Sequence, residues 1–118
     1  MPPSPAHHAL AAARLDKFHK ETVQRVADTV AAHPIVVVGM AWNPNVPRGV
    51  KALEAAGHKV EYLEFGNYVS GWRERLAIKL WSGWPTYPQV FVKGVLIGGA
   101  DQAQEALKSG ELVKMLAG

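Results

Sequence analysis

The chain has 118 residues, 48% of them hydrophobic and 19% charged. That is enough apolar material for one folded core and too little charge for a disordered chain. The net charge of +3 comes from 13 basic and 10 acidic side chains spread along the sequence, a weak basis for a nucleic-acid surface. With no cysteine at all, disulfides, thiol nucleophiles and cysteine-held zinc or iron–sulfur clusters are excluded.

Residues 1–8 begin Met1-Pro2-Pro3-Ser4-Pro5 and read as a disordered lead-in to one domain over 9–118. They lack the basic segment and apolar run of a signal peptide, and no stretch of the chain approaches the ~18 apolar residues of a membrane span. A cytoplasmic protein with no membrane partner is expected. From about Ala9 to Ala32 the chain reads as a helix, with Leu15, Phe18, Thr22, Val26 and Val30 on one face at helical period. His33-Pro34 ends it, because the residue before a proline disfavours the helical region.

Ile35-Val36-Val37-Val38, bounded by Pro34 and Gly39, reads as a strand buried on both faces. After it, Asn43-Pro44 fits an N-cap followed by the first helical position, opening a helix over 44–56 that Gly57 closes. Pro47 is an alternative start. A helix N-terminus at the end of a buried strand presents unpaired N–H groups and a positive dipole end, a place suited to an anion or a low-pKa cysteine.

Lys59 to Glu64 alternates with period two and reads as a half-buried strand. Tyr68 to Leu80 reads as a helix, with Trp72, Leu76 and Leu80 four apart. Residues 82–88 form a loop. Gln89-Val90-Phe91-Val92 and Val95-Leu96-Ile97 are strands joined by Lys93-Gly94, a two-residue hairpin signal. Gly98-Gly99-Ala100-Asp101 turns into a helix through Lys108, and Glu111 to Leu116 gives one or two more helical turns. The order α-β-α-β-α-β-β-α contains a right-handed βαβ unit and then a hairpin with a helix. It predicts an α/β protein: a four-stranded mixed sheet with helices on both faces.

That order, carried with Trp84-Pro85-Thr86-Tyr87-Pro88-Gln89-Val90, Gly98-Gly99-Ala100-Asp101 and Gly110-Glu111-Leu112, resembles the glutaredoxin branch of the thioredoxin fold over about residues 18–117. The WPT-x-PQ, GG-x-D and GEL pattern is similar to that of the monothiol glutaredoxins. The resemblance implies a thioredoxin-like fold with a cis Pro88, which opens a strand where proline is tolerated. It also implies a glutathione-dependent disulfide oxidoreductase ancestry. Counted back from Gly57, Asn43-Pro44-Asn45-Val46 lies where dithiol members carry Cys-Pro-x-Cys. Asn43 replaces the nucleophile, Val46 the resolving cysteine, and Met40 a glutathione-binding lysine. Three unlike replacements point to a natural absence rather than a single engineered change.

An amide is no nucleophile at neutral pH, so thiol–disulfide exchange is excluded on chemical grounds. As a local structure Asn43 is an N-cap. The resemblance implies a ligand site at Tyr87 and Pro88, whose backbone would pair with a peptide cysteine. It adds Gly99, Ala100 and Asp101, whose N–H groups and carboxylate would hold the γ-glutamyl end, and Arg75, which would meet a glycyl carboxylate. The ring of Tyr87 is placed to reach the same groove. Glycine turn and helix cap are the plain structural readings of Gly98 to Asp101. Trp42 is expected to be exposed, as a contact for a protein partner. Of the five histidines only His7 and His8 are close, with no rigid ligand spacing, so no metal is expected. The expected protein is a redox-inactive monomer that needs no cofactor and holds no iron–sulfur cluster. Glutathione or a peptide is its candidate non-covalent ligand. The alternative is a protein-interaction scaffold whose groove is vestigial.

Overall fold

The computed structural model describes residues 6 and 8–118, without the side chains of residues 12, 15 and 16. The lead-in expected over residues 1–8 lies, but for 6 and 8, outside the described residues. So does the side chain of Leu15.

The long first helix divides in two: α1 spans Ala9–Lys17 and α2 spans Lys20–Ala32. His19 sits in the left-handed region at φ 45° and breaks the helical path, an uncommon conformation for a side-chain-bearing residue. The side-chain periodicity across Phe18 carries no signal of such a break. Val26 and Val30 are the residues α2 buries.

Strand β1, Ile35–Gly39, is buried at all five positions. It runs parallel to β2, Glu61–Glu64, with Val37 opposite Tyr62. It runs antiparallel to β3, Gln89–Val92, with Val37 opposite Val90. The hairpin partner β4, Val95–Gly98, completes the order β2-β1-β3-β4. Helix α3, Asn45–Ala55, makes the crossover between the parallel strands. Gly57, at φ 89°, turns the chain out of it while the His58 N–H donates to the Leu53 carbonyl, a hydrogen bond typical of a glycine-terminated helix. Helices α4 (Trp72–Ser82), α5 (Ala100–Ser109) and α6 (Glu111–Ala117) follow.

Alternation along β1 divides the interior into two layers. Val36, Val38 and Met40 pack with α2, Ile78 of α4, Leu63 and Phe91. Ile35 and Val37 pack with Leu53 of α3, Ala103 of α5 and Leu112 of α6. The mixed sheet with helices on both faces is therefore the thioredoxin-like arrangement that the element order predicts.

Helix α4 departs from expectation. It starts at Trp72, four residues later than the periodicity predicts, because residues 66–71 fold into a tight loop. The Asn67 carboxamide accepts from the N–H groups of Val69 and Ser70. Gly66, at φ 65°, lies so close to the Ser70 carbonyl that an added Cβ would overlap it. The four-residue stripe Trp72, Leu76 and Leu80 is exposed, while Arg75, Ala77 and Ile78 turn inward. The spacing marks a helical face but does not say which way it looks. No helix among the described residues is long and apolar enough to cross a membrane.

Candidate functional site

The carboxyl ends of β1 and β4 and the amino end of β3, which lie side by side in the sheet, bring three segments together: the loop after β1, the turn before β3 and the start of α5. Loops at strand ends carry few backbone pairings of their own, so side chains decide their geometry. Asn43 anchors the first loop on both sides. Its Oδ1 accepts from the Asn45 N–H at 3.0 Å, and its backbone carbonyl accepts from the Val46 N–H at 3.1 Å. These bonds serve the first turn of α3, as an N-cap does. The other end of the same carboxamide reaches across the gap. Asn43 Nδ2 donates to the backbone carbonyl of Tyr87 at 3.2 Å.

The Tyr87–Pro88 peptide bond is cis. Tyr87 is only 6% exposed, and its ring joins the core instead of reaching outward as the sequence suggested. Its hydroxyl donates to the Arg75 carbonyl at 2.6 Å. Burial holds that hydroxyl protonated well above the usual tyrosine range, against the opposing charge of Arg75. Gly49 of α3 has no side chain to keep α5 and the turn away. A Cβ there would already touch Ala100 and Pro88.

At the start of α5 the Gly99 N–H donates to Gln102 Oε1 at 2.9 Å, and the Gly99 carbonyl accepts from the Ala103 N–H. The N–H groups of Ala100 and Asp101 belong to the first turn, where no helical carbonyl can reach them. Asp101 is paired within the chain. Arg48 Nη1 lies 2.9 Å from its Oδ1 and also donates to Gln104 Oε1 at 2.7 Å. Arg48 Nη2 donates to Asn45 Oδ1. The arginine thus ties α3 to α5 through a cluster that spacing alone did not reveal.

Arg75 is 8% exposed and bonds to backbone. Its Nη1 donates to the carbonyls of Phe65 and Ser70 at 3.0 and 2.6 Å. A buried guanidinium spent on two carbonyls braces the loop before α4 and stands in the wall behind the site. The structure therefore brings Asn43, Tyr87, Pro88, Gly99, Ala100 and Asp101 to one place and turns Arg75 inward. The sequence assigned no role to Arg48, Gln102 and Asn45, whose partners lie across the fold or one turn away.

On the opposite flank of the same loop Trp42 is 65% exposed, with its backbone in the left-handed region at φ 69°. It borders a pocket of about 600 Å³ between the loop, the outer face of α3 and one face of β2. Nothing in the loop supplies a thiolate or an itinerant proton. Its chemistry is that of hydrogen-bond donors, acceptors and an exposed indole.

No family model matches the sequence. The chain is 44% identical over 98 residues to a glutaredoxin-like protein of Dictyostelium discoideum, covering 83% of this chain and 80% of that protein. It is 33% identical over 104 residues to glutaredoxin-C1 of Arabidopsis thaliana, covering 87% and 83%. Among solved structures it is similar to a buckwheat glutaredoxin–glutathione complex, at 30% identity and a TM-score of 0.73, over 83% of this chain and 89% of that one. With this sheet, this turn and these relatives, the cysteine-free chain belongs to the glutaredoxin family.

Proposed function

We propose that this chain is a redox-inactive member of its family that works by non-covalent contact with partner proteins through the Trp42 loop, its groove being held shut by its own side chains. The observation that carries the reading is the Asn43 carboxamide donating to the Tyr87 carbonyl. The residue set by resemblance at the nucleophile position spends its polar end on the acceptor that a bound peptide would use. The Gly99–Gln102 bond and the Arg48–Asp101 pair support it in the same sense. A ligand entering there competes with these contacts, and each hydrogen bond exchanged for another yields little net free energy.

One observation favours a second reading, weak non-covalent glutathione binding. The Arg48–Asp101 pair is exposed at both ends, and such pairs contribute only about 0–1 kcal/mol. The buckwheat relative was solved with glutathione bound. On this reading Tyr87, Pro88, Gly99, Ala100 and Asp101 form the site once the latch opens, and Arg75 contributes only as a wall.

A glutathione-coupled disulfide reductase assay on the pure protein tests the redox claim. No turnover above the protein-free rate is expected, and measurable turnover would overturn the proposal. An Asn43→Cys variant places a thiol beside the N-terminus of α3, where the dipole favours thiolate. Activity gained by that variant alone would show that the missing atom, and not a collapsed frame, silences the chain.

A further inference from the structure

The pocket beside Trp42 is built from two regular faces. Tyr62 and Glu64 line it from one side of β2, and Val60 continues their period-two spacing just before the strand. Pro47, Val50 and Glu54 line it from α3, three and four residues apart, as one helical face requires. Among the described residues β2 is an edge strand with β1 as its one strand neighbour, which leaves this flank open. Its floor is apolar. The charged groups among its lining residues are two carboxylates, Glu54 and Glu64, with no lysine or arginine. That is the reverse of the chain as a whole, where basic residues outnumber acidic ones by 13 to 10.

The polar groups are also arranged. The Tyr62 hydroxyl donates to Glu64 Oε1 at 3.0 Å, which fixes that carboxylate at the mouth and leaves its second oxygen for another donor. Burial first, and then the Glu64 carboxylate, keep this hydroxyl protonated well above the usual tyrosine range, so it stays a donor. An exposed indole at the rim adds a π face. The matching ligand has an apolar stem and a cationic head, which is the form of an arginine or lysine side chain. A planar guanidinium also stacks on tryptophan, which favours arginine.

We propose that this pocket receives an arginine side chain from an extended peptide segment of a partner protein, its stem along Pro47, Val50 and Val60 and its guanidinium between Trp42, Glu54 and Glu64. The site adjoins the latched groove, with Asn43 in the lining of the pocket and in the latch, and it gives chemistry to the contact reading on which it rests.

The test is an amide and indole NMR titration of the full chain with a blocked peptide alternating valine and arginine, and with its valine–glutamate counterpart. The arginine peptide is expected to shift Trp42, Val50, Glu54, Tyr62 and Glu64, and the glutamate peptide is not. The exposed-residue variant Glu54→Gln/Glu64→Gln should weaken binding about tenfold, and Trp42→Ala a few-fold. Equal response to both peptides would overturn the proposal, as would shifts centred on Tyr87 and Gly99 or no shift at low-millimolar peptide. Pocket shifts that grow with protein concentration alone would assign the surface to a second copy and also overturn it. Reductase turnover would sink the proposed function without touching this result. A silent peptide titration in an inactive protein would sink the arginine site alone.

Discussion

The loop from Ala41 to Pro44 separates two flanks that use their polar groups in opposite ways. Toward the cis turn, the Tyr87 carbonyl, the Gly99 N–H and one oxygen of the exposed Asp101 carboxylate are each bonded to a neighbour from the same chain. Toward β2, the Glu54 carboxylate is exposed and Glu64 is only part-committed, to Tyr62. Internal pairing lowers what a ligand gains, because every new bond replaces an old one. Unpaired groups around an apolar floor leave that gain in place. On the proposed reading, the family frame is kept in outline while the contact surface lies on the β2 flank of the same loop.

The largest expected effect bears on whether Arg75 belongs to the groove or to the fold. Arg75→Met strands the buried carbonyl of Phe65 and removes one of the two donors to the Ser70 carbonyl, which keeps the Asn67 N–H, and should cost about 3 kcal/mol in thermal or urea unfolding. A loss near zero would return Arg75 to the ligand-facing surface. Gly39→Ala comes next. A Cβ there would lie 2.7 Å from Val46 Cγ1 and 3.0 Å from the Tyr62 ring, so α3 or Tyr62 must move. We expect a loss of about 2 kcal/mol from overpacking, with NMR shifts concentrated on the β2 flank and the cis turn little changed. Asn43→Ala removes a cap and the latch together and should cost about 1 kcal/mol. Unlike Gly39→Ala, it should perturb Tyr87 amide signals more than those of Tyr62. Arg48→Ala should be smallest, under about 1 kcal/mol, and most of that should vanish in high salt because the pair is exposed.

Much of the frame was legible locally. The β-branched run in β1, the period-two alternation before Glu64 and the glycine after α3 each state a conformation through their own chemistry. Trp84 to Val90 and Gly98 to Asp101 marked the turn and the start of α5. What stayed hidden depends on residues distant in sequence. Asn43 and Tyr87 are 44 positions apart, and nothing in either neighbourhood announces their bond. The partnership of Arg48 with Asp101 depends on how closely Gly49 lets α3 approach α5. The loop at Gly66 delays the start of α4, and the inward packing of Arg75, Ala77 and Ile78 leaves Trp72, Leu76 and Leu80 outward. The arginine-suited pocket follows the same rule: its strand and helix faces are periodic in sequence, but only the crossover brings them together.

On the proposed reading, the groove is closed by the chain's own side chains and not dismantled. The direct measurement is an NMR titration with reduced glutathione of the wild-type chain and of Asn43→Ala/Arg48→Ala. Negligible shifts are expected in the wild type at low-millimolar glutathione. In the double variant, shifts should appear at Tyr87, Gly99 and Asp101, with affinity raised at least about tenfold. Equal binding by both proteins, or by neither, would contradict that reading.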